Sequence, residues 1–245
     1  MSGKTLLEAK AIVKELGQGA GKVRALKGVD LALKGGELTL LMGPSGSGKT
    51  TLLSILGCIL SPTEGEVVIG GNSTKGLKPE GLARLRRNQV GFVFQDYNLF
   101  PTLTATENIK LALDVRGMAK AEQRPAAEKA LIAVGLAEKL NSYPGQMSGG
   151  QQQRVAIARA LAGNPSVILA DEPTAALDSE NGKAVMALLA EVAQDPSRAV
   201  LAVTHDPRML ECADRIMHID DGRIVSDERH TRADRKPAEA AAPTA

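Results

Sequence analysis

A phosphate-binding loop is the most specific chemical feature of the sequence. The segment GPSGSGKT, residues 43–50, has the required glycine spacing and ends in a lysine and a threonine. The apolar run ELTLLM before it and a helical pattern from about Lys49 to Cys58 after it disfavour an incidental Gly/Ser turn. In such loops the lysine bridges β- and γ-phosphate oxygens, and the threonine hydroxyl binds Mg²⁺. The sequence therefore predicts a nucleotide site formed by Gly43, Pro44, Ser45, Gly46, Ser47, Gly48, Lys49, Thr50 and Thr51.

A second chemical feature is the apolar strand VILADEP, residues 167–173, which ends in two adjacent carboxylates. Adjacent side chains on a strand point to opposite faces, so the two acids cannot do the same job. We expect Asp171 to enter the Mg²⁺ shell and Glu172 to polarise the attacking water beside the γ-phosphate. Two solvated acids at a strand end would explain this segment if it stood alone, but it accompanies a phosphate loop.

Two further polar residues follow apolar strands. His205 comes after LAVT, and Gln95 comes after GFVF. Because the carboxyl ends of parallel strands meet at one edge of a sheet, we expect both residues near the two acids. A neutral amide can reach both a metal shell and a water, so Gln95 is a predicted Mg²⁺ ligand as well as a catalytic residue with His205 and Glu172. For His218 and His230 the ordinary surface or structural role is the better interpretation.

The segment MSGGQQQRVAIARALAG, residues 147–163, presents a second glycine-rich helix start. Its first turn offers unsatisfied N–H groups and the positive end of a helix dipole, which suit an anion. One nucleotide does not obviously need two helix N-termini that lie far apart in sequence.

The elements that must position these residues indicate an α/β fold. Three short segments broken by glycine, LLEAKAIV, VRALKGVDLAL and GEVVIG, predict an N-terminal antiparallel β-subdomain that holds the base end of the nucleotide. Apolar runs that alternate with helical stretches predict a P-loop NTPase core with a parallel sheet. Helical segments without a strand signal predict an inserted α-helical subdomain at about 98–160. We expect one ATP-binding domain over 1–230 and a disordered tail over 231–245.

Composition narrows the function. The 245 residues carry a net charge of only +2, and no basic run is interleaved with aromatics, so nucleic acid is not an expected partner. Cys58 and Cys212 form no metal or disulfide pattern and are expected to be small buried hydrophobes. The longest apolar runs, such as TLLSILGCIL, fall short of the roughly 20 residues that span a bilayer, so a membrane role must come from a partner.

Together these motifs resemble the ATP-binding cassette ATPases of transporters. GPSGSGKT, Gln95, MSGGQQQ, VILADEP, ALDS and THD occur in the family's order and spacing, and the match runs from Leu6 to about Val225. LKGVDLAL, TEGEVVIGG and VFQDYNLFPTLTATENI are similar to the branch that serves lipoprotein-releasing, macrolide-exporting and cell-division-type permeases. The resemblance implies ATP and Mg²⁺ as cofactors and ATP hydrolysis as the activity.

The resemblance also implies an assembly. Two cassettes pair head to tail, so that a helix start formed by Ser148, Gly149, Gly150 and Gln151, with Asp178 across the interface, faces the nucleotide of the other subunit. A solvated loop aspartate is the alternative for Asp178. An integral membrane permease is the implied partner, with a periplasmic adaptor in some such systems, and the implied place is the cytoplasmic face of the inner membrane. We expect docking near Gln95 and the cluster QDYNLFP, which contains Tyr97 and Phe100; Phe94 is equally well explained as core.

The sequence disfavours two other functions that share these motifs, and it departs from the family's pattern in two places. A chromosome-maintenance ATPase would need a long coiled coil between Gln95 and Ser148, but that interval is short and lacks sustained heptads. A ribosome-associated protein would carry two cassettes, but this sequence has one phosphate loop. ATP cycling that drives a permease-like subunit without transport stays open. Met147 replaces the usual leucine and should have little effect. Relatives usually stack an aromatic residue on adenine, but no aromatic residue precedes Phe92, so we expect Leu16, or else Val23, in that place.

Overall fold

The computed structural model describes residues 3–230, which form an α/β fold of two sheets and six α-helices. The tail over 231–245, expected to be disordered, lies outside the described residues. The strands, in chain order, are β1 (Thr5–Leu16), β2 (Val23–Lys34), β3 (Glu37–Met42), β4 (Glu64–Ile69), β5 (Asn72–Ser73), β6 (Val90–Val93), β7 (Val167–Asp171), β8 (Ala199–Val203), β9 (Arg215–Asp220) and β10 (Arg223–Arg229). The helices are α1 (Lys49–Leu56), α2 (Pro79–Gln89), α3 (Ala105–Val115), α4 (Lys120–Ala133), α5 (Gly149–Leu161) and α6 (Ser179–Val192).

The smaller sheet has the order β2-β1-β4-β5, and all of its pairings are antiparallel. Leu7 and Ile12 of β1 are completely buried and belong to the same apolar cluster as Leu52 and Leu56 of α1. This packing places the β1–β2 hairpin beside the helix that follows the phosphate loop. The N-terminal antiparallel sheet expected from the sequence is therefore confirmed.

The larger sheet has the order β10-β9-β3-β8-β7-β6. Strands β9, β3, β8, β7 and β6 are mutually parallel, and every residue of β8 is buried, as expected for a strand covered on both faces. The edge strand β10 runs antiparallel to β9. The reason is a tight turn at Asp221 and Gly222, whose φ angles of 41° and 72° are the left-handed pair that such a hairpin requires.

Helices α3, α4 and α5 share an apolar cluster of their own, which includes Ile109, Leu131 and Val155. A capping box between Thr104 and Glu107 begins α3. Helix α2 has no fully buried residue and contacts the core through the partly buried Leu82 and Leu85; the sequence analysis did not predict it. Cys58 is buried, and this burial raises the pKa of its thiol to about 11, whereas Cys212 is half-buried.

Candidate nucleotide-binding site

The phosphate loop leaves β3 at Met42 and enters α1 at Lys49. Gly48 stands at the N-cap of α1 with a φ of 103°, and a Cβ there would come within 2.8 Å of the carbonyl oxygen of Ala25, so only glycine fits. No side chain caps this helix, which leaves its first-turn amides for a ligand. Ser47 differs from its neighbours, because its side chain is buried and its carbonyl accepts a hydrogen bond from the amide of Gly222 at 3.0 Å.

The ammonium group of Lys49 lies over the loop. Its Nζ donates to the carbonyl oxygens of Gly43, at 2.7 Å, and Pro44, at 2.8 Å. These bonds hold a positive charge beside the open amides of α1, where phosphate oxygens could replace the two carbonyls as acceptors.

The two adjacent acids take different environments at the end of β7. The Oδ1 of Asp171 lies 3.5 Å from the hydroxyl of Thr50, at the start of α1. Burial, and next the charge of Glu172, raise the pKa of Asp171, whereas Thr50 and Lys49 act in the opposite direction. A cation at this point would favour the charged carboxylate.

Glu172 is held from two sides. Its φ of 47° is left-handed, which is uncommon for a residue with a side chain, and its amide donates to the carbonyl of Val203 on β8 at 3.0 Å. The Nδ1 of His205 lies 2.9 Å from one carboxylate oxygen of Glu172 and 3.0 Å from the other. An ionised carboxylate only accepts hydrogen bonds, so Nδ1 is the protonated nitrogen when His205 is neutral.

Lys49, Thr50, Glu172 and His205 line one cleft of about 840 Å³, and Asp171 adjoins it through its contact with Thr50. Gln95, exposed after β6, lines it together with Glu172 and His205. The cleft extends from the phosphate loop to the β1–β2 hairpin and includes the predicted base-contacting residues Leu16 and Val23. Sequence reasoning missed five lining residues, which are Arg24, Ala25, Ala175, Asp221 and Gly222. Only the Asp-Gly pair of β9–β10 carried a recognisable signal, that of a tight turn.

The start of α5 lies outside this cleft. The hydroxyl of Ser148 accepts from the amide of Gln151, and the side chain of Gln151 accepts from the amide of Ser148, which closes a capping box. Gly149 packs closely, since a Cβ there would come within 2.8 Å of the hydroxyl of Tyr97. Gly150 likewise faces the side chain of Asn181 on α6.

Asp178 has a structural partner that the sequence did not predict. Its carboxylate caps α6, accepting from the amides of Glu180 and Asn181 and, at 2.7 Å, from the side chain of Asn181. Because Asn181 contacts the start of α5, Asp178 connects the two helix N-termini.

Comparison with known proteins identifies the family. Residues 26–175 match the family described as ABC transporter. The chain belongs to the ABC transporter family. It is 46% identical to the ABC transporter ATP-binding protein MJ0796 of Methanocaldococcus jannaschii, over 91% of this chain and 97% of that protein. It is also 45% identical to the macrolide export ATP-binding/permease protein MacB of Marinobacter nauticus, over 93% of this chain. The chain spans 35% of the length of that MacB relative.

Comparison with solved structures supports the same family. The dimeric, post-hydrolysis MJ0796 cassette bound to ADP and Pi is similar with a TM-score of 0.83 and 44% identity, over 91% of this chain and 98% of that one. CbiO1 of Clostridium perfringens, described as part of the transporter complex cbiONQ, gives a TM-score of 0.81 at 27% identity, over 92% and 88% of the two chains. The predicted ATP-binding cassette fold, the resemblance to the macrolide-export branch and the ATP hydrolase activity are confirmed.

Proposed function

We propose that two copies of this chain pair head to tail around ATP and drive a separate integral membrane permease of the macrolide-export or lipoprotein-releasing type. The observation that carries the proposal is the convergence of Lys49, Glu172 and His205 in one cleft, which Asp171 adjoins through Thr50, while the capped start of α5 lies outside it. Relatives supply the rest, since MacB proteins are described as export ATP-binding/permease proteins and the MJ0796 cassette as dimeric.

Mg²⁺ fits the oxygen donors of this cleft. The Thr50 hydroxyl and the Asp171 carboxylate are 3.5 Å apart, and Gln95, which lines the cleft, has a side-chain amide that offers a further oxygen. Mg²⁺ prefers such hard oxygen ligands and completes its shell with water and substrate phosphates. When bound, it would neutralise charge on the β- and γ-phosphates.

Each residue of the cleft then has a task. Lys49 exchanges its two loop carbonyls for phosphate oxygens, while the amides of residues 43–51 surround the β-phosphate. Glu172 accepts a hydrogen bond from the attacking water, and its charge raises the electron density on the water oxygen. His205 holds the carboxylate of Glu172 through Nδ1, and its second ring nitrogen is left to contact the γ-phosphate.

The start of α5 serves the other subunit. Ser148, Gly149, Gly150 and Gln151 present a helix dipole and close backbone approach to the γ-phosphate on the partner's loop. Loss of that phosphate by hydrolysis removes the charge that joins the subunits, so closure follows ATP binding and opening follows product release.

The permease docks beside Gln95, at the cytoplasmic face of the inner membrane. No helix within residues 3–230 is long and apolar enough to cross a bilayer. Phe100 is 51% exposed, and buried Asn108 fixes its loop by accepting from the Phe100 amide at 2.8 Å and donating to three nearby carbonyls. Phe94 instead stacks on Phe92 with ring centroids 4.4 Å apart, which favours its core role. In this proposal a periplasmic adaptor would bind the permease and not this chain.

The test is ATP-dependent phosphate release and sedimentation of the purified chain, alone and with the permease. Lys49→Ala is expected to abolish both ATP-driven dimerisation and phosphate release. Lys129→Ala, an exposed lysine on α4, is the matched control and should leave both unchanged. Permease stimulation that survives Phe100→Asp would overturn the docking surface, and unchanged phosphate release in Lys49→Ala would overturn the site.

A further inference from the structure

The nucleotide cleft has no aromatic side chain at its hairpin end. The lining residues there are Leu16, Val23, Arg24 and Ala25, and no aromatic residue precedes Phe92 in the sequence. Leu16 pairs with Val23 across β1 and β2, and these side chains are 40% and 64% exposed. Two small aliphatic side chains can cover part of a base, but neither offers a flat surface.

Arg24 is the planar group at this end of the cleft. Its side chain is exposed, and its guanidinium makes no hydrogen bond or salt bridge with any other residue between 3 and 230. Glu15, the partner of Arg24 across β1 and β2, is held by Lys22 in an ion pair, and its carboxyl pKa is lowered first by Lys22 and least by Arg24. The guanidinium is therefore available for a ligand.

A guanidinium plane can replace an aromatic ring against a nucleobase. It is flat, delocalised and weakly hydrated, so it stacks on π-systems with both dispersion and cation–π attraction. Proteins that bind unpaired bases use arginine planes in this way beside aromatic residues. A lysine carries the same charge but lacks the plane.

We propose that Arg24 stacks its guanidinium on the nucleobase at the hairpin end of the cleft, which Leu16 and Val23 also line. This inference rests on the proposed placement of ATP in the cleft. Stacking on a plane does not read the hydrogen-bonding edge of a base, so Arg24 favours purines over pyrimidines and does not separate adenine from guanine.

The experiment measures calorimetric binding of Mg·ADP, Mg·CDP and Mg·tripolyphosphate to the full chain. ADP and tripolyphosphate share phosphate contacts, whereas only ADP has a base. We expect Arg24→Lys and Arg24→Ala to weaken ADP binding about fivefold and to leave tripolyphosphate binding within about twofold. Arg24→Tyr restores a plane and is expected to bind ADP more tightly than Arg24→Ala. Arg84→Lys, an exposed arginine of α2 outside the cleft, should change nothing.

Three results would overturn the inference. The plane is not used if Arg24→Lys binds ADP like the unaltered chain, or if Arg24→Tyr is no better than Arg24→Ala. An equal loss of tripolyphosphate binding would mean that the charge of Arg24 acts on phosphates instead. Failure of the proposed site is distinguishable, because Lys49→Ala would then leave tripolyphosphate binding intact.

Discussion

The N-termini of α1 and α5 are both glycine-rich, yet they are built differently. Helix α1 follows Gly48, which has a left-handed φ and no side chain to offer as a cap. Helix α5 follows Ser148, whose hydroxyl closes a capping box with Gln151. The first helix start lies inside the cleft of its own chain, and the second lies outside it.

This difference indicates which helix start needs a ligand. The amides at the start of α1 are left for phosphate, so that end is completed only by binding. A capping box stabilises a helix start by about 1 kcal/mol without any ligand, so α5 is already formed in the free chain. Contacts from Tyr97 and Asn181 to the two glycines add to that preassembly. A rigid, presented helix start suits capture of a phosphate held elsewhere.

The largest expected effect comes from blocking hydrolysis while both helix starts are engaged. Glu172→Gln should keep ATP affinity within about twofold and lower phosphate release by at least about a hundredfold, because the amide loses the charge that polarises water. ATP-bound dimers should accumulate and be visible by sedimentation. His205→Ala removes the Nδ1 contact and the proposed contact with the γ-phosphate but leaves the charge of Glu172, and it should reduce turnover less. Turnover at the unaltered rate in Glu172→Gln would remove Glu172 from the mechanism.

The next effect separates the two helix starts by subunit. Ser148→Ala is expected to abolish ATP-driven dimerisation while the isolated chain still binds ATP, because in the proposed dimer Ser148 acts on the partner's nucleotide. A mixed dimer of one Ser148→Ala chain and one Lys49→Ala chain retains one complete site, with Lys49 and Ser148 from different chains. Recovery of ATP occlusion at one site per mixed dimer is expected. If the mixed dimer occludes no ATP at either of its two sites, Lys49 and Ser148 would have to act within one chain.

Gly149→Ala sharpens the same comparison. The added methyl would lie 2.8 Å from the Tyr97 hydroxyl, so an internal clash could itself displace α5. Tyr97→Phe removes that hydroxyl. If the glycine serves the partner's phosphate, the double variant is expected to stay unable to dimerise with ATP; restored dimerisation would assign the glycine to internal packing alone.

Leu16→Tyr should act on the α1 site only. An aromatic ring in this position adds base stacking and is expected to tighten both ATP and GTP by up to about tenfold, with little preference between them. Dimerisation at saturating nucleotide should not change, since α5 does not contact the base. Competition binding of the two nucleotides checks the ratio, and a strong ATP preference would mean that hydrogen bonds read the adenine edge.

The smallest expected effect concerns Asp178, which supports α5 through Asn181. Hydrogen bonds from the Asn181 amide and side chain, followed by that from the Glu180 amide, lower the pKa of Asp178. A lowered folded-state pKa means that the stabilisation is present above the unfolded pKa of about 3.9 and is lost as pH falls below it. Asp178→Ala should therefore lower the Tm at pH 7 and have less effect near pH 3. An equal Tm shift at pH 7 and at pH 3 would contradict this expectation. Glu180→Gln, in the same turn, is the control.

Much of the core could be predicted because its signals are local. Residues 43–50, the apolar strands and the acids at 171–172 are recognisable within short windows, and the carboxyl ends of parallel strands must meet at one edge. Helix α2 was not predicted from the sequence, and its apolar contact with the core is limited to the partly buried Leu82 and Leu85. The sequence predicted a parallel sheet, whereas β10 runs antiparallel to β9 because a two-residue turn joins the two strands.

The sequence by itself determined the phosphate loop, the strand that ends in the two acids, and the absence of an aromatic residue before Phe92. Only the tertiary structure decided that Arg24 reaches the cleft, that Tyr97 covers Gly149 and that Asp178 caps α6 toward α5. The physical reason is the range of the interactions. Helix caps and strand periods depend on residues a few positions apart, whereas these contacts depend on how whole elements pack around the buried sheet.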